Sequence, residues 1–473
     1  MNDTRSRVAI LGGGISGLAA AHRLTEIAPH VEVQLFEAQD RLGGILQTVR
    51  RGDYLVERSA DMFTTREPWA LDLCKRVGLA DELIETDQRY RKALIVFRGK
   101  LHPVPDGFQL MTPSKLWPMA ASPLLSATGK LRMAGEYLVP PRKSAGDESL
   151  ASFVRRRLGT EAFERLVQPL VGGIYTADPE KLSMAATLPQ FLEMERRHGG
   201  LLRSILKAPA KKESKAEGSG ARYGLFLAPR QGMSQLVDAV ASRLPAGCVQ
   251  LQTKVQQVSR IEPGQWQISA AGQAPQIFDA LICALPASTS TLLRGIDPPL
   301  GTLLERITCA SCSIVALGYR RGQIKHPLSA FGFVVPAIEK RKVIAGSFSS
   351  IKFPGRAPDD RVLIRVFIGG ALQPDLATLP DDELIGIARE QLDALLGASG
   401  QPEIAEVFRW LGAMPQYHVG HLDLVAQIES RAAEIPRFAL AGNAYRGVGI
   451  PFCIRSGEQA AERVAEQLAC ERG

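Results

Sequence analysis

Three glycines and one carboxylate carry the first chemistry legible in the chain. Gly12, Gly14 and Gly17 stand as G-x-G-x-x-G, and Glu37 follows 20 residues after the last of them. In such a run the first glycine permits a tight turn. The second lets the backbone approach a pyrophosphate, and the third lets a helix pack closely on a strand. A helix opening at the turn offers unpaired N–H groups and the positive end of its dipole to phosphate oxygens. A carboxylate at the place of Glu37 accepts hydrogen bonds from ribose hydroxyls. Gly12, Gly13, Gly14, Ile15, Ser16, Gly17 and Glu37 therefore predict a dinucleotide site.

The elements that must hold this site are visible around it. Residues 7–11 are a short apolar run and read as a buried strand. Residues 18–27 are Ala/Leu-rich and read as a helix, and 30–36 alternate at period two, as a strand does. Strand, glycine turn, helix and strand make a βαβ unit with parallel strands. Further on, 66–92 has a helical pattern, with apolar positions at Leu71, Cys74, Val77, Leu79 and Leu83, and 148–206 is mostly helical. Residues 207–222 are charged, rich in Gly, Ser and Ala, and lack apolar period, which predicts a disordered loop. A helix over 232–244 and strands within 248–259, 265–269, 278–286, 313–319, 343–348 and 362–368 follow. A helix near 381–396 comes next, and 438–457 reads as a strand, a glycine turn and the start of a last helix.

Composition narrows the function classes. The chain has 473 residues, 57 Lys+Arg against 49 Asp+Glu for a net charge of +8, and a sequence pI near 9.1. At 45% hydrophobic and 22% charged it has ample material for a core, which excludes general disorder. The modest basic excess suits an anionic surface or substrate, and no nucleic-acid partner is expected. Uncharged stretches such as Leu116–Gly129 and Ala280–Leu293 have 14 residues each, short of the roughly 18 that a spanning helix needs. The N-terminal segment shows no signal-peptide pattern. Seven scattered cysteines read as buried thiols of a reducing compartment. Cys309 and Cys312 form a CxxC with no second pair or nearby His, so no metal is expected there.

A second glycine layer bears on which dinucleotide binds. Ala38-Gln39-Asp40-Arg41-Leu42-Gly43-Gly44 brings an arginine and two glycines back towards the pyrophosphate. A simple nicotinamide dehydrogenase does not need this; the other reading is a surface turn with a solvated arginine. The E-x(3)-R-x-G-G run resembles the large FAD family that contains amine oxidases, phytoene desaturases and protoporphyrinogen oxidases. The run Gly442–Gly457 (GNAYRGVGIPFCIRSG) resembles the closing motif of the protoporphyrinogen oxidases. Segments 100–105, 168–175, 181–184, 353–358 and 410–417 resemble the same family in the same order, so the likeness spans almost the whole chain.

By these motifs the chain is identified as a member of the protoporphyrinogen/coproporphyrinogen oxidase family of amine-oxidase-like flavoproteins. The resemblance implies non-covalent FAD held by the first glycine turn and Glu37, with Ala38, Arg41, Gly44 and Ile45. It further implies Ser59, Ala60, Asp61 and Met62 under the ring, Val255 on the adenine side, and Trp410 near the isoalloxazine. Val448, Gly449 and Ile450 would face the ring with their backbone N–H groups. The family usually has Gly-Pro where this chain has Ser59-Ala60, so the loop under the ring is expected to differ in shape.

The implied reaction takes six electrons from protoporphyrinogen IX, or alternatively from coproporphyrinogen III, in three steps, with O2 as acceptor and H2O2 as product. A further alternative is a non-catalytic member of the fold that binds a lipidated protein. No catalytic dyad or triad stands out among the seven histidines, which suits chemistry carried by the cofactor, and no general base is assigned. The resemblance places Val334, Phe353 and Leu317 near the macrocycle and gives a propionate to Arg91 or Lys92; plain core packing and a solvated charge are the other readings.

The expected fold is α/β: a discontinuous Rossmann-like FAD domain (1–90, 223–300 and 406–473), an α+β substrate domain (301–405) and a helical insert (91–206), resembling amine oxidases and p-hydroxybenzoate hydroxylase. Leu110, Met111, Leu116, Trp117, Met119, Leu124 and Leu125, beside several Lys and Arg, predict either a monotopic membrane face or a buried helical cap. A cytoplasmic protein on the inner face of the membrane, with a homodimer among its partners, is the resulting expectation.

Overall fold

Strand Arg7–Leu11 is buried from its second residue onward and lies at the centre of a parallel sheet. The order is Val249–Gln250, Glu32–Phe36, Arg7–Leu11, Ala280–Cys283 and Phe438–Leu440. Stretches of chain far apart in sequence thus meet in one sheet. The computed structural model describes residues 5–144, 146–207, 225–262 and 264–470.

Helices Ile15–Ile27 and Ile450–Cys470 pack on this sheet and on each other. Their approach needs glycine: a Cβ on Gly457 would stand 2.1 Å from the carbonyl oxygen of Ser16. The core between them holds Val8, Ile10, Leu18, Leu35, Ile282, Ile454 and Val464.

A second sheet of seven strands runs Ile404–Pro415, Cys309–Arg320, Arg361–Gly369, Ala345–Phe348, Gly332–Val334, Leu94–Phe97 and Lys100–Pro103. One face carries Val315, Leu317, Phe333 and Ile364 against helix Asp381–Leu396. The other carries Ile314, Ala316, Leu363 and Phe408 against Tyr54 and Val56 of the hairpin Thr48–Arg51/Tyr54–Glu57. Period-two alternation along each strand splits the apolar side chains between the two faces. A third core is helical, built from Leu150–Leu158, Gln168–Tyr175 and Pro189–His198 over Phe108, Met111 and Leu124.

Several expectations change. Residues 66–92 hold one short helix, Trp69–Arg76, then 3-10 turns and the strand Leu83–Glu85; Gly78 at φ +77° ends the helix. The loop expected over 207–222 lies outside the described residues except Lys207, which ends helix Leu201–Lys207. The apolar set of 101–143 is mostly inside: Met111, Met119, Leu124 and Leu125 are buried and Leu110 packs on the same core. Trp117 is 80% exposed, and the side chain of Leu116 lies outside the described residues. The other exposed apolar side chains of the helical unit include Leu131, Leu138 and Leu206, which sequence reasoning did not select. Five cysteines are buried, Cys309 is half-buried and Cys470 is exposed.

Candidate cofactor and active site

The first glycine turn is built by crowding on one side and openness on the other. Gly12 sits at φ +100°, and a Cβ there would meet the carbonyl oxygen of Ala284 at 2.8 Å. Gly17 has less room still, with the carbonyl oxygen of Gly12 at 1.9 Å. At Gly14 an added Cβ would find no atom within 4 Å, and this residue starts helix Ile15–Ile27 with no side-chain cap. The helix therefore keeps its N-terminal N–H groups and dipole end for a guest.

Glu37 directly follows its strand and is buried. Its carboxylate accepts the N–H of Gly13 at 2.7 Å and that of Gln39 at 2.8 Å. It thus fixes the turn from within, while Ala38 beside it is exposed. The N–H of Thr253 donates to the Glu37 carbonyl oxygen at 2.8 Å, which brings half-buried Val255 to the same end of the site.

The second turn stacks on the first. Gly43 N–H donates to the Gly13 carbonyl at 2.8 Å, and a Cβ on Gly44 would stand 3.2 Å from Gly14 Cα. The guanidinium of Arg41 faces inward, donating to the carbonyl oxygens of Gly44 (2.7 Å), Leu42 (3.1 Å) and Leu46 (3.4 Å). Its part is to brace the turn, rather than to reach out as its spacing suggests. A polar cavity of about 430 Å³ lies beside it, lined among others by Gln39, Arg41, Arg58 and Trp410. The Trp410 indole donates to the Arg58 carbonyl at 2.6 Å, tying the second sheet to the hairpin.

From there the chain leads to the 59–62 loop. Ser59 Oγ donates to the Ile45 carbonyl at 2.5 Å, and Ile45 is 41% exposed. Arg365 donates to the carbonyls of Ser59 (2.5 Å) and Glu57 (3.1 Å). Ala60 packs on the first core, Asp61 is buried in ion pairs, and Met62 packs on Phe353. A loop lacking Gly-Pro is therefore held by an arginine from the neighbouring sheet.

On the far side lies the C-terminal turn. Gly447 has φ +147°, and a Cβ there would stand 2.4 Å from the Phe452 ring. Gly449 is open by contrast, the nearest neighbour of an added Cβ lying at 3.7 Å. Val448 is half-buried and Ile450 buried. Cys453 points its thiol at the Val448 carbonyl, and burial pushes the thiol up to about 12, which keeps it protonated and unreactive.

Of the substrate residues, Val334 faces the helical unit, 3.2 Å from where Gly173 would carry a Cβ. Leu317 is fully buried on the opposite face of the sheet and is not brought to this side. Phe353 is fully buried among Ile84 and Ala228, under the guanidinium of Arg356. Arg91 is buried, and its guanidinium is taken by Thr86 and Glu85. Lys92 is exposed, at the head of the strand that pairs with Gly332–Val334.

Sequence reasoning missed Lys352 and Arg365 as partners of Asp61, and Tyr417 with His421 beneath the C-terminal turn. Lys352 stands one residue before the 353–358 match and Tyr417 ends the 410–417 match, so both were within reach. Arg365 sits in a strand with no signal beyond one charge among apolar residues.

The cradle fits FAD: an open, uncapped helix start, two stacked glycine turns, a fixed carboxylate and an open third turn. The family model described as "Flavin containing amine oxidoreductase" matches residues 15–465. The chain is 32% identical to "Coproporphyrinogen III oxidase" of Bacillus subtilis, covering 97% of this chain and 98% of that one. It is 29% identical to "Protoporphyrinogen oxidase, chloroplastic" of Nicotiana tabacum, covering 97% and 85%. The solved structure of a protein named "Putative protoporphyrinogen oxidase from Exiguobacterium sp. 255-15" superposes with a TM-score of 0.87 at 29% identity, covering 98% and 99%. The two stacked glycine turns and the likeness along the full chain lead to one statement: this chain belongs to the flavin-containing amine oxidoreductases, among the porphyrinogen oxidases, and its cofactor is FAD.

Proposed function

We propose that the chain oxidises coproporphyrinogen III to coproporphyrin III, consuming three O2 and releasing three H2O2 as six electrons and six protons leave the macrocycle. The observation that carries this reading is the end-to-end likeness to a coproporphyrinogen III oxidase, at 32% against 29% for the plastid protoporphyrinogen oxidase. This reverses the order of substrates that the motifs alone suggest. Protoporphyrinogen IX is the second reading, favoured by the name of the Exiguobacterium neighbour.

Held by the glycine turns and Glu37, bound FAD would supply the two-electron acceptor for the macrocycle and the route of those electrons to O2. The chain's own groups bind and orient. Val334, packed directly against Gly173, supplies part of an apolar wall. Exposed Lys92 suits a propionate better than Arg91, which is buried with its Nε and Nη2 taken by Thr86 and Glu85. Ser59–Met62 and Val448–Ile450 border the ring from two sides in this reading.

No helix among the described residues is long and apolar enough to cross a membrane. Contact with the membrane surface would use Trp117, Leu131, Leu138 and Leu206, which are exposed. Co-sedimentation with anionic vesicles that persists in Trp117→Ser/Leu138→Ser would overturn that assignment.

The substrate reading is tested by mixing each porphyrinogen with the FAD-loaded protein without oxygen. Coproporphyrinogen III should bleach the flavin bands, and oxygen should restore them. A protein purified without flavin colour that cannot be loaded with FAD would refute it.

A further inference from the structure

Behind the 59–62 loop lies a knot of five buried ionisable side chains. Asp61 is its centre: its carboxylate takes Lys352 Nζ at 2.9 Å and the Arg365 guanidinium at 2.5 Å. Lys352 is 6% exposed, Arg365 2% and Arg356 1%. Glu57, also buried, is the second carboxylate, but it is held by the Met233 N–H at 2.9 Å and the Thr48 hydroxyl at 2.8 Å. Arg356 spends its terminal nitrogens on the carbonyls of Arg230 and Pro229, and its Nε has no hydrogen-bond partner among the described residues. Carbonyls solvate that charge without neutralising it.

Three cations thus face two carboxylates, an excess of one positive charge in the interior. The excess grows when Glu57 takes a proton, because burial lifts its carboxyl to about 7 against the bonds from Thr48 and Met233. Burial alone would raise Asp61 too, but Arg365 and Lys352 hold its carboxyl well below the usual range, so it stays ionised. Buried ions that are not balanced nearby are costly, and apolar residues of the same volume would pack the space at less cost. Retaining them is explained if the field they make acts on a charge that changes.

The knot is wired to the cofactor cradle. Gly43 binds Gly13, Ser59 binds the Ile45 carbonyl, and Arg365 binds the Ser59 carbonyl. The loop that covers the knot is therefore tied to Ile45, two residues beyond Gly43 of the second glycine turn. Lys352 and Arg365 are too buried to meet a substrate carboxylate, so they act on the site through their field and, for Arg365, through the loop it holds.

We propose that Lys352, Arg356 and Arg365 poise the flavin site for electron uptake: their excess positive charge stabilises the extra negative charge that arrives at the ring with each hydride equivalent, and Lys352 sets its size. These are positioning and tuning residues, since none reaches the reacting atoms. The inference rests on the reading that the ring lies over residues 59–62.

The test is the midpoint potential of FAD bound to the full-length protein, equilibrated without oxygen against reference dyes and with no porphyrinogen present. Lys352→Met lowers the potential and Lys352→Arg leaves it near wild type. Glu57→Gln removes a charge, its amide oxygen accepting the Met233 N–H and its NH2 donating to the Thr48 hydroxyl in place of accepting from it, and raises the potential at about pH 8, where Glu57 is mostly ionised. If Lys352→Met does not fold, the upward shift in Glu57→Gln still decides. Unmoved potentials with FAD bound, or shifts of the same sign in Lys352→Met and Glu57→Gln, overturn the proposal. Since no porphyrinogen enters this measurement, wild-type flavin that neither porphyrinogen can reduce would sink the substrate reading and leave this one standing.

Discussion

Tyr417 and His421 stack face to face, their ring centroids 3.9 Å apart and 13° from parallel, and together they hold the C-terminal glycine turn. The Tyr417 hydroxyl donates to the Asn443 carbonyl at 2.6 Å and accepts the N–H of Gly447 at 2.8 Å. His421 Nε2 meets the Tyr445 carbonyl at 2.8 Å, and burial lowers the ring's pKa, so it stays neutral and donates. The backbone carbonyl of Tyr417 accepts from Ser183, so one residue links the helical unit to the turn beside the flavin site.

Tyr417→Phe removes the hydroxyl and leaves the half-buried Asn443 carbonyl and Gly447 N–H without this partner. The expected loss is about 1–3 kcal/mol of stability. Because the lost bonds hold the turn, FAD affinity falls as well. Chemical denaturation with and without FAD, read beside a flavin-fluorescence titration, measures both effects.

The two glycines that flank the first turn should separate folding from binding. Gly17→Ala places a methyl against the Gly12 carbonyl oxygen, and the chain is expected to lose its soluble folded form. Gly14→Ala meets no atom and has an ordinary backbone angle of φ −69°. Its FAD-free form should unfold within about 0.5 kcal/mol of wild type, yet bind FAD far more weakly. Parallel melts of FAD-free protein and equilibrium FAD titrations check the contrast.

Much of this site was legible in the sequence. G-x-G-x-x-G, Glu37 and the period-two strand beside them fix a βαβ unit through local rules alone. What those rules could not give was direction. Arg41 has the spacing of a phosphate ligand, but three backbone carbonyls take its guanidinium. Leu317 and Val334 look alike as apolar strand residues, and only the register of Cys309–Arg320 in its sheet turns Leu317 to the other face. In 101–143 the apolar residues were counted correctly, but a helical unit with its own core takes most of them inward.

The buried pair Arg157–Glu136 supports that helical unit. Both side chains are fully buried, and Glu136 also accepts the N–H groups of Leu201 and Leu202. Arg157→Met leaves the carboxylate buried without its cation and should cost about 3–5 kcal/mol. Replacing both, as Arg157→Met/Glu136→Leu, should cost less than the single change. Urea denaturation of the three proteins tests the order.

Glu57 gives stability a pH dependence of known sign. Its carboxyl is raised from 4.5 to about 7 by burial, so the folded chain holds a proton that the unfolded chain has lost. Its contribution is complete below 4.5 and is lost as pH rises through about 7, a change of about 3 kcal/mol. Glu57→Gln lacks this dependence. The stability difference between Glu57→Gln and wild type should therefore grow across that window and level off above it, as followed by denaturation at stepped pH.

Anaerobic stopped-flow reduction of the bound FAD by coproporphyrinogen III and by protoporphyrinogen IX tests the central claim most directly. The account predicts bleaching by both, with coproporphyrinogen III favoured by about tenfold or more in the second-order rate, about 1.4 kcal/mol of discrimination. Oxygen should then return the oxidised spectrum with one H2O2 per cycle. FAD that stays oxidised with both substrates would contradict it.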